Sequence, residues 1–469
     1  MKKDLARNFK LVTVLILLPL CLQSNVAAQS YNLIHQFDAD TTLQVQTQLQ
    51  YSGSVIVDSA GRDENERALP LDVTARINYD QRISSTSTEQ PQAIRYIEQA
   101  DSKINAGKGS TEIELPENKR LVLARLKKQQ NDNHLFQIAA LENSLTQKEY
   151  ELLKVPGDPL SFARLFTKEN VSVGEKWQPS KDLIADLVSI NRVITSDVTM
   201  MLKSVEEDQA RVYFYGQLRG ESDGAITDMN LKGIAILDLT DQLVTSLRMT
   251  VDEERRSGQV APGFEGKVKL DLRLSKTDEN PALSKQRMAK VYRGKKVKFN
   301  FHLEPENSSF QLQHDTQWRV IASQEDAAVL RYIDDGQLVA QCNLVELPRR
   351  PADNPLALND FKSEINRIIS ESEGAQIIKS EAKINPAGHS VLHVNVDGLE
   401  QGIPFKWLYY HVAANDGRRV TFVFTLEKDA AEYFGSADNN LVASFAFNAV
   451  RTADKDNGAN QGKPLPKKR

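Results

Sequence analysis

The chain has 469 residues, of which 40% are hydrophobic and 26% are charged, a composition typical of globular proteins rather than disordered ones. Residues 1–28 carry four basic side chains and one acidic side chain, so the formal net charge of −4 becomes about −7 for the remainder. A chain of this charge is not expected to be a general nucleic-acid binder. Its length predicts about two or three domains.

The first 28 residues have the three parts of a secretory signal peptide. A basic segment precedes an apolar run from Leu11 to Leu22, which is shorter than the roughly 20 residues that span a bilayer. Small residues, Val26 and Ala28, then occupy the −3 and −1 positions of a cleavage site. The sequence therefore predicts an exported protein, periplasmic or extracellular, whose mature chain begins near Gln29.

Two other interpretations of this segment stay open. One is an uncleaved N-terminal anchor, and the other is lipidation of Cys21, although Leu20 stands where a lipidation motif needs a small residue. Without residues 1–28 the only cysteine is Cys342, which excludes an intramolecular disulfide and is predicted to be a small buried hydrophobe. No transmembrane segment is expected in the mature chain, because no second apolar stretch reaches spanning length.

Residues 29–276 are dominated by alternation with a period of two. Between Leu43 and Tyr51, apolar residues and Thr47 alternate with glutamines, as in an antiparallel sheet with one buried face. We expect the face from Gln44 to Gln50 to be solvated, with a water-lined groove as the alternative. Similar strand patterns recur towards Leu272.

The middle of this region has a different pattern. Leu145 to Leu153 is predicted to be a helix ended by Pro156-Gly157, and Pro159 to Phe166 a second short helix. These segments predict a mainly antiparallel β domain with a helical insert over residues 29–276, with a sheet wrapped around helices as the alternative. Together with the region after it, this predicts an α+β fold class.

Residues 277–300 are polar and basic, and we interpret them as the linker between two domains, with an anionic docking strip as the alternative. The second domain is predicted over residues 301–449. Residues 450–469 are polar, contain two prolines and end in Lys467-Lys468-Arg469, so we expect a disordered tail. Contact of this tail with an anionic surface is the alternative.

The second domain is predicted to alternate strands with one long helix. Leu358, Phe361, Ile365, Ile368 and Ile369 lie on one stripe of that helix, which is expected to run from Pro355 to Glu373. Asn415-Asp416-Gly417 predicts a hairpin turn between the last two long strands. A short helix near Leu441 to Phe447 is expected to close the domain.

Three motifs of this domain carry a family resemblance. They are Trp407-Leu408-Tyr409-Tyr410, Asp416-Gly417-Arg418 followed by Val420 to Phe424, and Asn440 to Phe445. In this order they resemble the PsbP-like fold, over about a third of the chain. The resemblance implies an antiparallel sheet flanked by helices and a binding or assembly module without catalysis, and it transfers no functional residue. The N-terminal part resembles exported bacterial proteins of unknown function that carry Gly-x-x-Trp, here Gly174 to Trp177.

One strand of the second domain supplies the candidate ligand or partner face. Trp407, Tyr409 and His411 point to the same side of that strand, because side chains alternate between the two faces of a sheet. The alternative is that helices cover both faces and the three side chains belong to the core.

Motifs for catalysis, cofactors and metals are not found in the sequence. His389 and His393 are four residues apart, but on a strand this spacing separates them by roughly 13 Å, too far to share one zinc ion. A P-loop, a dinucleotide-binding fingerprint and a Gly-x-Ser-x-Gly motif are absent. The sequence therefore predicts no catalytic residue, no cofactor and no metal, and it favours a protein that is not an enzyme.

Three functional hypotheses follow. The first is an exported, non-catalytic binding or assembly protein, with an unknown envelope protein or an apolar small molecule as its partner. The second is a periplasmic carrier of a lipid or another apolar ligand, which would need an apolar cavity within residues 31–276. The third is a hydrolase whose acidic residues converge only in the fold, which would need carboxylates facing each other across a cleft.

Overall fold

The computed structural model of the protein describes residues 29–38, 41–57, 67–87, 90–128, 134–292, 297–334 and 336–449. The predicted signal peptide and the predicted tail lie outside these described residues. Strands account for 57% of the structure and helices for 16%.

The N-terminal part contains strands β1 to β15. They are β1 (Ser30–Ile34), β2 (Thr42–Val57), β3 (Arg67–Ser85), β4 (Gln92–Ala106), β5 (Gly109–Glu114), β6 (Leu121–Lys128), β7 (His134–Ala140), β8 (Thr167–Ser172), β9 (Lys176–Trp177), β10 (Arg192–Ser196), β11 (Thr199–Glu206), β12 (Gln209–Ser222), β13 (Ala225–Asp238), β14 (Leu243–Arg255) and β15 (Gly263–Thr277). Its helices are α1 (Gln147–Leu153), α2 (Phe162–Leu165) and α3 (Lys181–Val188), with 3-10 turns at Glu117–Lys119 and Pro159–Ser161.

Thirteen of these strands form one antiparallel sheet. The neighbours follow the order β7-β6-β4-β3-β2-β15-β14-β13-β12-β11-β9, with β5 paired to β4 and β10 paired to β12. Helix α3 contacts both β7 at one edge and β10 near the other. The sheet therefore curls, and α3 lies at the seam where its two ends approach each other.

The concave face of this sheet is the core of the N-terminal part. Residues paired across eight neighbouring strands form a continuous buried row, each at most 4% exposed: Ala100, Ile77, Thr47, Leu272, Leu247, Ala235, Val212 and Leu202. The next residue of β2, Gln48, lies on the convex face beside Arg76 and Asp271 and is exposed. A one-residue slip would exchange these two faces, so burial fixes the register.

Short helices cover the concave face. Leu153 of α1, Phe162 of α2, and Ile184 and Leu187 of α3 are each at most 3% exposed and belong to the same apolar cluster as the sheet. Burying one such side chain contributes roughly 1.5–3 kcal/mol. The interior of the sheet is therefore filled by side chains of the helices.

The C-terminal part contains strands β16 to β25. They are β16 (Phe301–Leu303), β17 (Phe310–His314), β18 (Trp318–Ser323), β19 (Ala327–Asp334), β20 (Gln337–Leu347), β21 (Gln376–Ile384), β22 (Ser390–Glu400), β23 (Ile403–Ala413), β24 (Arg419–Glu427) and β25 (Ala446–Phe447). Helix α4 (Lys285–Tyr292) precedes them, and α5 (Leu358–Ile369), α6 (Ala431–Phe434) and α7 (Ala437–Ser444) lie among them, with 3-10 turns at Pro281–Leu283 and Lys428–Ala430.

Seven of these strands form a second antiparallel sheet, in the order β18-β19-β20-β24-β23-β22-β21. One face packs against α7 and the small sheet β16-β17-β25, around buried Tyr410, Phe424 and Phe445. The other face packs against α5 through Phe361 and Ile365, which are 5% and 2% exposed.

The structure corrects the predicted fold class. The protein is predominantly β, not α+β with a helical insert. Helices α1 and α2 have only seven and four residues, whereas β3 has nineteen. Sequence alternation predicted β2, but it did not single out several other strands, among them the long strands β4 and β14.

Residues 277–300, predicted as a linker, are partly folded onto the large sheet. Leu283 is fully buried against Ile94, Leu121 and Leu123, and Met288 of α4 packs at the edge of this cluster. The division into domains at 29–276, 301–449 and this segment stays a prediction.

Removal of the Ile365 side chain tests the packing of α5. Because Ile365 is 2% exposed, Ile365→Ala should lower the free energy of unfolding by about 2–5 kcal/mol. Ser363→Ala on the exposed side of the same helix is the matched control and should change it by less than about 0.5 kcal/mol. Urea unfolding of the full mature chain measures both, and equal midpoints would contradict the assigned packing.

Candidate functional site

A cavity of about 670 Å³ with several charged residues in its lining opens at the seam of the large sheet. Strands β6 and β7 border it on one side and the helices and β10 on the other. From the C-terminal part it is covered by Thr316, Gln317, Arg319, Ile333, Asp334 and Gly336. We call this cavity the seam cleft; its lining includes Lys154, Asp186, Arg192, Glu221, Asp223 and Arg319. Its volume lies within the roughly 300–1,000 Å³ range of small-molecule sites.

Helix α1 joins the two parts of the molecule beside this cleft. The Gln147 side-chain oxygen accepts a hydrogen bond of 2.8 Å from the backbone N–H of Val320 in β18. The Tyr150 ring lies 4.7 Å, centroid to centroid, from Phe301 of β16. Strand β18 is an edge of the second sheet, so the Val320 N–H has no neighbouring strand to pair with on that side. The hydrogen bond to Gln147 supplies its partner.

A buried ion pair forms the floor of the cleft. Both Asp158 oxygens accept hydrogen bonds of 2.7 Å from the Arg95 guanidinium, which is 2% exposed and lies 4.7 Å over the Tyr79 ring. The carboxylate also accepts from the backbone N–H of Leu160 and so caps the Pro159–Ser161 turn. Breaking such a pair leaves a buried charge uncompensated, which costs about 3–5 kcal/mol.

A second buried carboxylate, Asp186 of α3, shares one guanidinium with a neighbour. Arg164 donates to Asp186 and, at 2.5 Å, to Asp182 one turn earlier. Burial raises the pKa of Asp186 to about 7, and the negative charges of Asp182 and Asp158 add to this while Arg164 opposes it. Asp186 is therefore the lining group that can exchange a proton near neutral pH.

The wall formed by both parts of the molecule carries two further ion pairs. Arg319 of β18 donates to Asp223 in the turn after β12 at 3.1 Å. Arg192 of β10 donates to Glu221 of β12 at 2.7 Å. Burial alone would raise the pKa of Asp223, but the charges of Arg319 and Lys154 outweigh it, so the pKa is lowered.

Lys154 is a charged group of the cleft without a direct polar partner among the described residues. It ends α1, it is half-buried, and among the residues that the structure describes its ammonium forms no ion pair or hydrogen bond. A lysine at a helix C-terminus is favourably placed against the helix dipole. Lys154 therefore lines the cleft without a direct ion pair, although its charge acts on the carboxylates of Asp223 and Glu151.

Two glycines meet where the parts touch next to the cleft. Gly224 follows β12 with φ of +79°, and Gly336 precedes β20 with φ of +78°. A Cβ atom on Gly224 would lie 2.4 Å from the carbonyl oxygen of Gly336, and one on Gly336 would lie 1.5 Å from an oxygen of Glu221. Both turns therefore need glycine, for their backbone angle and for the close approach.

The residues that the sequence singled out as a ligand or partner face lie elsewhere. Trp407 and Tyr409 of β23 are half-buried and pack against the α5 cluster, and His411 is 3% exposed with its ring 5.8 Å from Phe361. The three share one sheet face, and that face is the one covered by α5. Whether the exposed parts of Trp407 and Tyr409 contact a ligand stays a prediction.

The histidines considered for zinc have separate neighbours. His389 accepts a hydrogen bond from the backbone N–H of Phe447, whereas His393 of β22 stacks on Tyr410 and lies 3.3 Å from Glu381. Within the described ranges, no group of three or more His, Cys, Asp or Glu side chains is placed to hold a metal ion. Cys342 is fully buried, which raises the pKa of its thiol.

Within the same described ranges, none of the helices combines the length and apolarity needed to cross a bilayer.

Comparisons with known proteins give only weak similarity. No protein-family model and no curated protein matches the chain. Among solved structures, cyanobacterial PsbP (CyanoP) from Synechocystis sp. PCC 6803 is 16% identical, with 32% of this chain and 92% of that chain covered and a TM-score of 0.26. The protein of unknown function PA94 from Pseudomonas aeruginosa, a putative regulator, is 10% identical, with coverages of 32% and 98% and a TM-score of 0.23. The immunity protein TplEi of T6SS from Pseudomonas aeruginosa, solved with a peptide, is 10% identical, with coverages of 49% and 95% and a TM-score of 0.21.

These similarities are too weak to assign a function. They include a PsbP protein over about a third of this chain. The expected resemblance of the N-terminal part to exported proteins of unknown function finds no support in them.

Buried histidines predict a stability that falls in acid. Burial lowers the pKa of His35 from 6.5 to about 3 and those of His314 and His411 from 6.5 to about 4. At His411 the positive charges of Arg419 and Arg350 also lower the pKa. Between pH 6.5 and 4 the unfolded chain therefore binds more protons than the folded chain, so the free energy of unfolding decreases as the pH is lowered. Asp186 acts oppositely, because its raised pKa stabilises the fold as pH falls from about 7 towards 4.

The variant His411→Phe tests this assignment. It should reduce the loss of folding free energy in acid by about 1.4 kcal/mol per pH unit. Urea unfolding between pH 7.5 and 5 measures the slope, and identical slopes for both proteins would contradict this assignment.

Substitution of Gly224 tests the contact between the two parts. Gly224→Ala should force the turn away from Gly336, at a cost of about 1–3 kcal/mol beyond the backbone strain. Gly402→Ala is the matched control, because Gly402 has φ of +81° and no atom within 4 Å of the added Cβ. Limited proteolysis should cut Gly224→Ala between the two parts faster than wild type or Gly402→Ala. Equal cleavage of the two variants would show that the contact contributes nothing.

Proposed function

We propose that the protein is an exported, non-catalytic binding protein whose working site is the seam cleft. One observation carries the proposal: a cleft of about 670 Å³ is bounded by both parts of the chain, and arginines hold four of its carboxylates in ion pairs. Apart from Asp186, whose raised pKa suits proton exchange, carboxylates engaged in this way are poorly placed to act as nucleophiles or general bases. The cleft is suited to retaining a ligand rather than to converting it.

The proposal includes export and a PsbP-like second module. Export to the periplasm or the cell exterior rests on the three-part signal at residues 1–28. The PsbP-like assignment of residues 301–449 rests on the motifs around Trp407 and on the order of elements: strands, α5, four paired strands, and the short helices α6 and α7.

The carrier hypothesis receives less support. A carrier of an apolar molecule needs apolar space on the concave side of the sheet. Leu153, Phe162 and Ile184 of the helices occupy that side as part of a packed core. A ligand there would have to displace them.

A hydrolase is the second candidate, favoured by Asp186 alone. A carboxyl group with a pKa of about 7 is suited to general acid catalysis near neutral pH. It would need a second reactive group in the cleft. In that case Asp186→Asn would abolish turnover of whichever molecule the cleft takes.

Blocking the cleft tests the proposed function. Thr316 lines the cleft and is half-buried, so Thr316→Trp should fill it, whereas Thr74→Trp on the exposed convex face is the matched control. Thermal denaturation of the mature protein against a small-molecule library should reveal ligands that stabilise wild type and Thr74→Trp but not Thr316→Trp. Mass spectrometry of the ligand after incubation should recover it unchanged. Ligands that stabilise Thr316→Trp equally well, or that are converted to product, would contradict a non-catalytic binding site here.

A further inference from the structure

We propose that the seam cleft recognises a small anion, a carboxylate- or phosphate-bearing molecule, with Lys154 as the anchoring charge. This inference rests on the proposed function and adds the chemical class of the ligand. It follows from the distribution of charge among the groups that line the cleft.

The acidic groups of the cleft are almost all neutralised within the protein. The four carboxylate–arginine pairs are Asp158 with Arg95, Asp186 with Arg164, Glu221 with Arg192, and Asp223 with Arg319. The fifth acid, Asp334, accepts a hydrogen bond of 2.8 Å from the Gln317 amide and has no cation partner among the described residues. Among the cations of the lining, Lys127 and Lys154 form no ion pair with a described residue. Beside the lining, Glu151 accepts a hydrogen bond from the Gln147 amide without a direct ion pair, and Asp182 shares Arg164 with Asp186. The cleft therefore has no general excess of positive charge, and the group available to an anion is Lys154 itself.

Lys154 is better placed than Lys127 to hold a ligand. Lys127 is exposed at the end of β6, where water screens its charge. Lys154 is half-buried, at the junction of α1 with the covering residues of the C-terminal part. A partly desolvated ammonium without a counterion gains strongly from a charge-assisted hydrogen bond to an anion.

The surrounding ion pairs would keep Lys154 available. Asp223 lies close enough for its pKa to respond to Lys154, but its carboxylate accepts its hydrogen bond from Arg319 at 3.1 Å. The backbone N–H of Asp223 also donates to the Asn191 side chain at 2.7 Å, which fixes the turn. Because the Asp223 carboxylate is hydrogen-bonded to Arg319 and Glu151 accepts from Gln147, Lys154 can bind an incoming oxyanion without breaking a direct ion pair.

Isothermal titration calorimetry with citrate and inorganic phosphate as separate probes tests this inference on the full mature chain. At constant ionic strength of about 0.15 M, wild type should bind at least one probe in the millimolar range or tighter. Lys154→Met should weaken that binding about tenfold or more, and Lys154→Arg should restore most of it. Lys148→Met is the control, because Lys148 lies exposed on the same helix and its loss changes the net charge equally.

Each outcome decides the matter. Equal weakening by Lys154→Met and Lys148→Met would mean a general charge effect, and absence of binding by both probes to wild type would overturn the anion assignment. If citrate and phosphate fail while neutral or cationic molecules bind and are lost in Thr316→Trp, the proposed function stands and this inference is wrong. If Thr316→Trp changes no binding at all, the proposed function itself fails. Urea midpoints of the lysine variants equal to wild type would show that a lost signal is not a loss of fold.

Discussion

The concave face of the large sheet must be removed from water, and the rest of the structure depends on how this is done. The sheet curls around three short helices, and no helix in this part exceeds eight described residues. Helices this short are not stable alone and owe their order to the packing of one apolar face. Their polar faces are then left at the seam, where the two ends of the sheet approach each other.

Those polar faces explain why a charged cleft lies beside an apolar core. Arg95 and Arg164 extend from the sheet and from α2 towards carboxylates on neighbouring turns, because buried charges need partners. The C-terminal part contributes Arg319 to the same wall and the Val320 N–H to α1. Each part thus supplies hydrogen-bond partners for polar groups of the other, and the cleft is the space that remains between their surfaces.

Some of this was accessible from the sequence. Alternation from Leu43 to Tyr51 predicted β2, because one face of this strand is exposed to solvent. The apolar stripe on the helix of the C-terminal part predicted that Phe361 and Ile365 are buried. Both ends of that helix were misplaced: it runs from Leu358, with Ala357 as its cap, to Ile369 and not from Pro355 to Glu373. The cleft was not predictable, because Arg95, Lys154 and Arg319 converge from elements far apart in the chain. Asp158-Pro159 was the local signal for a capped turn at its floor.

Amide hydrogen exchange at Val320 tests most directly whether the two parts form one unit around the cleft. The Val320 N–H lies at the edge of the C-terminal sheet and donates a hydrogen bond of 2.8 Å to the Gln147 side-chain oxygen. If the parts are docked, the Val320 amide is strongly protected in wild type and loses protection in Gln147→Ala, while Leu330 in the core strand stays protected in both. Exchange of the Val320 amide at the rate of an exposed loop in wild type would contradict the account.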